Sequence, residues 1–403
     1  MASTNTVLTL DGLYKKVYAK SGPIVALPEI AILQDLVPFQ ASKREGKSYN
    51  VPIVVSDEHG FSYGDADETI TLNTEIAATL KEISVNGAQI VGQASLNYAA
   101  AARSMGSEAA FLEAGHLVVQ NLNTSASKKL EASLLYGRSG ISTVASLSSQ
   151  VITMTAASWA DGLMMNLINC QIDVYTSGGS LRQGNLVVTA VDPTNYTITV
   201  TGTTTGIVST DVVYLDGAFG KECYGLNAII TNTGSMFGVD ASAYPIWAGS
   251  SYSAGSAALT MTKVLSGAAQ AVARGGLSGE AVLLCHPSSW NNLNSDQAAL
   301  RQYTTDDKKA QNGFEEIVYR GPNGKIRVVS HPMIKRGDAF LFDPKSLKRV
   351  GSQDISNMTP GRSDEIFMHS QTLSAYLIRV YSNQAIFCER PATAVKITSI
   401  VPS

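Results

Sequence analysis

The stretch from Ser107 to Tyr136 constrains this chain more than any other. It contains no proline, and Leu112, Val119, Leu122, Ala126, Leu130 and Leu134 recur at steps of three, four or seven, so they share one helical face. Ser107 is a good N-cap residue, and Glu108 and Glu113 put negative charge in the first two turns, where the helix dipole favours it. Lys128 and Lys129 lie toward the other end, and Gly137 reads as a stop. About 30 residues at ~1.5 Å each make a rod of roughly 45 Å, far longer than the ~11–12 residues of a common globular helix. Such a rod is either a long core helix or a spine to which separate layers attach.

The whole chain has 403 residues, enough for two or three domains with an ample core. Charged residues make up only 16%, under the ~25% usual for soluble domains, which suggests that much surface is covered by something else. A net charge of -3, from 30 Lys+Arg against 33 Asp+Glu, argues against a dedicated nucleic-acid binder. The opening MASTNTVLTLDGLYKK has no apolar core behind a basic flank, so no signal peptide is expected, and no apolar run is long enough for a membrane span. Cys170, Cys223, Cys285 and Cys388 are widely separated and read as reduced, mostly buried thiols. Asn123, Asn195 and Asn357 open glycosylation-like triplets, which without an export signal count as chance.

Residues 1–40 read as an arm, with a short helix over Leu10–Tyr18 and an extended run punctuated by Pro23, Pro28 and Pro38. It packs either on its own body or on a neighbour. Residues 41–97 read as a long two-stranded excursion, with one limb over Tyr49–Val55 and a return limb over Lys81–Leu96, where Gly87 and Gly92 are candidate bulges. Between Ser48 and Leu80 there is no Lys or Arg, yet Asp57, Glu58, Asp65, Asp67, Glu68 and Glu75 are present. An isolated two-stranded ribbon is marginal in water. It is therefore either a solvated acidic hairpin or a strip lying on another surface.

Ile141–Gln150 reads as a Ser-rich linker. Residues 151–217 then carry a short helix near Ala156–Leu167 and strands at Gln171–Tyr175, Leu186–Val191, Tyr196–Val200 and Asp211–Leu215. This pattern suggests a small β-barrel or sandwich inserted into a parent fold, its two ends close together. Residues 218–255 read as a connection back across the parent domain. In residues 256–365 a helix over Leu259–Arg274, a buried strand over Glu280–Cys285, a helix from Pro287 and strands at Glu316–Tyr319, Lys325–Ser330 and Ala339–Phe342 make an α+β layer, with a polar loop over 296–313. Residues 301–349 hold eleven Lys or Arg against six acids, a basic counterpart to the acidic ribbon. Residues 366–403 alternate well enough for three antiparallel closing strands on which the long helix would lie.

Catalytic patterns are scarce. Ala41-Ser-Lys-Arg-Glu-Gly46-Lys47-Ser48 fits a relaxed phosphate-loop pattern, but Tyr49–Val55 favours strand and Pro52 forbids a regular helix beyond its start, so the amide cradle the motif needs is missing. His59, His116, His286, His331 and His369 are not at metal-ligand spacing. Cys285 and His286 are adjacent, and adjacent strand side chains point to opposite faces. No catalytic, cofactor-binding or metal-binding residue is assigned.

Arm, charged ribbon, long helix, α+β body and closing strands, in this order, resemble the major capsid protein of tailed bacteriophages, the Hong Kong phage capsid fold. Gly225-Leu-Asn-Ala-Ile-Ile, Gly238–Trp247 and the final Glu389-Arg-Pro-Ala-Thr-Ala-Val-Lys-Ile-Thr are similar to segments of phage shell proteins. The resemblance implies an α+β capsid fold: N-terminal arm 1–40, E-loop 41–97, P-domain 98–150 with the spine helix, an inserted β-barrel-like domain 151–217, a connection 218–255, A-domain 256–365 and P-domain closing strands 366–403. It implies a homo-oligomer of hexamers and pentamers enclosing double-stranded DNA in a virion, built in the host cytoplasm. Scaffolding and portal proteins, and in some members decoration proteins, are the implied partners. No cofactor is implied. The short arm leaves no room for an internal scaffold segment, which implies a separate scaffolding protein.

On this reading the acidic ribbon, chiefly Asp57, Glu58, Asp65, Asp67 and Glu68, lies over a basic part of an adjacent subunit. Arg301, Lys308, Lys309, Arg320, Lys335, Arg336, Lys345, Lys348 and Arg349 are the candidate partners. The alternatives are another self-assembling tail or surface protein, or an enzyme with the β-rich insert as its substrate module.

Overall fold

The computed structural model describes residues 30–40, 48–98, 108–296, 317–358, 366–369 and 374–402. The expected helix at Leu10–Tyr18, the loop over 296–313 beyond Asp296 and the N-cap Ser107 lie outside the described residues.

The long helix is there. After a short arm helix, α1 (Ile32–Leu36), and three strands, β1 (Tyr49–Ser56), β2 (Thr79–Val85) and β3 (Ala88–Asn97), the chain forms α2, Glu108–Tyr136, 29 residues without a break. Its C-terminal half is buried on more than the one face that the periodicity marks: Ala126, Leu130 and Leu134 are enclosed, and so are Lys128, Glu131, Ser133 and Leu135. Layers therefore attach on several sides, and α2 touches α1, β3 and elements that follow. Gly137 is not the left-handed residue that ends it. Arg138 takes that conformation, at φ 63°. Gly137 is required for a different reason: a Cβ there would lie 2.3 Å from the Cys223 carbonyl oxygen.

Past α2 the Ile141–Gln150 segment is not a linker. It contains β4 (Ser142–Ser148), followed by β5 (Val151–Met154), β6 (Gln171–Tyr175), β7 (Leu181–Asp192), β8 (Thr197–Thr201) and β9 (Val212–Leu215). These six strands close into a barrel in the order β4-β5-β8-β7-β6-β9. Closure leaves no unpaired edge. Val144, Ile152, Met154, Ile172, Val174, Leu186, Val188, Ile198, Val200 and Val213 fill the interior, none more than 2% exposed. Between β5 and β6 the chain makes short 3₁₀ and α turns in place of one helix, and these seat the barrel on the body: Arg336 N–H donates to the Trp159 carbonyl at 2.9 Å and Gly162 N–H to the Pro332 carbonyl at 3.0 Å.

The chain leaves and re-enters the barrel at one neck, where Gly225 N–H donates to the Gly137 carbonyl at 3.1 Å. Arg138 spans it, donating from Nε to the Glu222 carbonyl at 2.9 Å and lying 4.2 Å from the centre of the Tyr224 ring. A short helix, α3 (Leu226–Ile230), then packs on α2. A two-residue pair, β10 (Ser235–Met236) and β11 (Val239–Asp240), follows.

The α+β body is a six-stranded mixed sheet. Its strands are β12 (Ser250–Ala257), β13 (Gly279–Cys285), β14 (Ile317–Gly321), β15 (Gly324–Ser330), β16 (Ala339–Phe342) and a last strand, β20 (Val395–Ile400). The spatial order is β12-β20-β16-β13-β15-β14. Helix α4 (Met261–Gly275) lays Met261, Val264, Ala268 and Ala271 on one face of it, beside Leu283, Val395 and Ile397. Alternate residues Val282 and Leu284 face the other way, into the core shared with α2 and the barrel. Helix α5 (Pro287–Ser295) follows β13, its first turn capped by the His286 ring nitrogen Nδ1.

The closing strands differ from the expected triple. Residues 375–388 form one 14-residue strand, β19, paired with β17 (Leu347–Ser356), β18 (Phe367–His369) and β3. The final strand, β20, joins the body's sheet instead, parallel to β12 and antiparallel to β16. Likewise the expected return limb of the ribbon is two strands. Only β2 pairs with β1, while β3 crosses to β19 without a bulge at Gly92. Gly92 lets α2 approach that sheet, since a Cβ would sit 2.7 Å from Val380 Cγ1 and 3.2 Å from Leu122 Cδ1.

Candidate assembly interface

The ribbon has a packed base and a far end whose side chains are exposed among the described residues. At the base, Ile83 and Val85 are buried, Ser84 N–H donates to the Phe237 carbonyl at 2.9 Å, and Lys81 Nζ lies 5.8 Å from the centre of the Tyr244 ring. Beyond Ser56 regular pairing stops. Residues 57–78 are held by the His59–Ile76 bridge, a turn at Asp65–Glu68 and the Asn73 contacts to Ser62 Oγ at 2.6 Å and the Phe61 carbonyl at 2.8 Å. Asp57, Glu58, Asp65, Asp67 and Glu68 are all exposed there.

The same strip exposes large apolar side chains, which the charge pattern did not reveal. Phe61 is 70% exposed, Leu72 83% and Tyr63 91%, and Val54, Ile70, Ile76 and Leu80 join them. A concentration of exposed apolar groups rimmed by charge marks an interaction surface. The signal stands in the sequence as Phe61, Tyr63, Ile70, Leu72 and Ile76, spaced by Ser62, Thr71 and the acids.

The basic set divides. Arg301, Lys308 and Lys309 lie outside the described residues. Arg320, on edge strand β14, and Lys345 are exposed, while Lys348 and Arg336 are half-buried. Arg336 lies 5.4 Å from the centre of the Tyr196 ring, at the barrel's seat. Lys345 lies in the short turn before β17 and Lys348 in β17 itself, whose sheet is not the one that holds Arg320.

Lys335 and Arg349 are corrections to the expected set, because both are buried and already satisfied within the chain. Lys335 Nζ donates to the Gly140 carbonyl at 2.9 Å and lies 4.2 Å from the centre of the Tyr136 ring. Burial lowers its pKa to about 8 against the opposing pull of Asp338. Arg349 donates to Gln384 Oε1 at 2.7 and 2.9 Å, to Asp354 Oδ1 at 3.2 Å and to two arm carbonyls. Withdrawing either toward a neighbour would strand its partners in the core.

Burial pushes the Cys285 thiol up to about 12 and those of Cys223 and Cys388 to about 11, so all three are poor nucleophiles at neutral pH. Among the described residues no group of three or more His, Cys, Asp or Glu converges as metal ligands, and no helix is long and apolar enough to cross a membrane.

Residues 199–355 match the family model of the SU10 major capsid protein. At the level of whole curated sequences nothing matches. Among solved structures, the capsid asymmetric unit of cyanophage A-1(L) aligns over 98% of this chain and 99% of that one, with a TM-score of 0.57 at 13% identity. The capsid of the empty GTA particle aligns over 99% and 100%, with a TM-score of 0.54 at 10% identity. The native GTA particle's capsid gives the same TM-score, 0.54, at 9% identity.

Proposed function

We propose, from a chain whose fold and central segment are those of tailed-phage major capsid proteins, that its copies close as hexamers and pentamers into an icosahedral shell around packaged double-stranded DNA. It is a virion wall subunit assembled in the host cytoplasm with scaffolding and portal proteins, and its work is burial of surface rather than catalysis. The observation that carries this reading is the ribbon: a strip anchored at one end whose apolar and acidic side chains are left exposed among the described residues. An adjacent subunit supplies that cover. Apolar burial provides the attraction, at roughly 25 cal/mol per Å². The acids set register against exposed cations such as Arg320, Lys345 and Lys348, each exposed pair adding only ~0–1 kcal/mol. Repeated at every contact of a closed shell, such increments sum to a large term. A net charge of -3 avoids strong adhesion to the DNA, because phosphate binding is steeply electrostatic.

Negative-stain microscopy of the expressed protein tests this. Closed particles of uniform diameter are expected, on its own or with a scaffolding protein added. Tubes, flat sheets or dispersed monomers under both conditions would overturn it.

A further inference from the structure

Helix α1 is five residues long, too short to persist by itself. Its N-cap, Ala31, offers no side-chain acceptor to the first-turn amides. The spine fills that role from 97–98 residues away: Glu131 Oε1 accepts the Leu33 amide at 2.5 Å, and Oε2 accepts the Gln34 amide at 3.2 Å and Gln34 Nε2 at 3.0 Å. Glu131 is fully buried. At the other end of α1, Arg349 Nη1 donates to the Gln34 and Val37 carbonyls at 3.1 and 3.2 Å. A carboxylate at the amino end and a guanidinium at the carboxyl end both match the helix dipole. Leu33 and Val37 pin the same segment into the core.

Glu131 has one more partner. His331, completely buried in the turn after β15, has Nε2 2.9 Å from Glu131 Oε1, the oxygen that also takes the Leu33 amide. His331 Nδ1 accepts the Met333 amide at 3.1 Å, so the ring is held in the tautomer whose Nε2–H donates to the carboxylate. One oxygen on the spine thus joins the arm to the α+β body.

We propose that this carboxylate makes the arm seat and the His331 turn a single two-state element. If α1 leaves, Glu131 loses three of its four donors and Arg349 loses two acceptors, and buried charges left in that condition are costly. The arm therefore departs only together with a rearrangement of the 331–334 turn on the spine. Anything that displaces the arm, including a neighbouring subunit during assembly, resets how the body sits on α2.

Site-resolved amide hydrogen exchange on the full chain tests the coupling in both directions, since an energetic coupling between sites is reciprocal. His331→Phe keeps the ring's bulk and removes the donor. The Leu33 and Gln34 amides, which His331 does not touch, are then expected to exchange about tenfold faster or more, the size of a lost hydrogen bond to a charged group. Gln34→Ala, a milder change at a half-buried arm position, is expected to speed exchange at Met333 and Ile334. Leu186→Ala in the barrel serves as a comparison that lowers stability elsewhere and should leave the α1 amides selectively unaffected. Wild-type protection of α1 in His331→Phe, or of 333–334 in Gln34→Ala, would overturn the proposal, as would equal acceleration of α1 by Leu186→Ala.

Discussion

The barrel and the ribbon are both β-structure, and they solve the same problem in opposite ways. The barrel turns its apolar residues inward and pairs every strand with two neighbours, so its interior side chains are at most 2% exposed. The ribbon pairs β1 with β2 alone, and its far end leaves Tyr63 91% exposed. A barrel of this kind is complete within one chain. A two-stranded strip alone is not independently stable, and among the described residues only its base is packed on the body; on the proposed reading an adjacent subunit finishes the rest.

Substitutions can break that contrast or sharpen it. The largest effect on folding is expected in the barrel: Leu186→Ala empties a fully enclosed site and should cost about 2–5 kcal/mol in denaturant unfolding. Next comes the neck between barrel and spine. Burial raises the Glu222 carboxyl to about 7, against the pull of Arg138. The folded state then holds a proton that the unfolded state has released between its ordinary pKa and about 7, so stability from this group falls as pH rises through that window and is level above it. Glu222→Gln should therefore gain on the wild type across the window, by no more than about 3 kcal/mol, read as a pH series of unfolding midpoints for both proteins.

At the ribbon the expectation inverts. Phe61→Ser, Tyr63→Ser and Leu72→Ser together should shift subunit unfolding by no more than about 0.5 kcal/mol per site, as exposed positions do, while particle yield by sedimentation collapses. A large loss of subunit stability would show that the ribbon is covered by its own body. The smallest effect belongs to charge. Asp65→Lys, Asp67→Lys and Glu68→Lys should weaken assembly by roughly 0–1 kcal/mol per lost pair, and the deficit should shrink as salt is raised. Normal particle yield at low salt from that variant would remove the acids from the interface.

How far the sequence alone reveals this molecule depends on the range over which each signal acts. The long helix is legible because its pattern repeats locally over many turns. Strands β6, β13 and β16 fall where β-branched and apolar runs put them. Strand β4 escapes notice because serine dominates it, although Ser142 and Val144 face inward. The destinations of β3 and β20 are invisible locally, since each looks like a strand whichever sheet receives it. Buried charges are hardest of all. Glu131 sits in the helix like any surface acid, and its partners lie 97–98 and 200 residues away. Arg349 and Lys335 sit in a basic stretch that suggests an outward face, but the fold turns both inward. At the ribbon, both the acids and the apolar residues stand in the sequence, but that the apolar ones face outward is not legible there, because exposure is a property of the finished fold.

The glycine-only crossing at Gly137 and Gly225 has a practical corollary. Since a Cβ at Gly225 would come within 2.5 Å of the Gly137 nitrogen, the two backbones touch with no side chain between them. Whatever is spliced between them begins and ends at nearly the same point in space. A segment that enters and leaves there needs only adjacent termini, and the barrel's own two ends meet that condition.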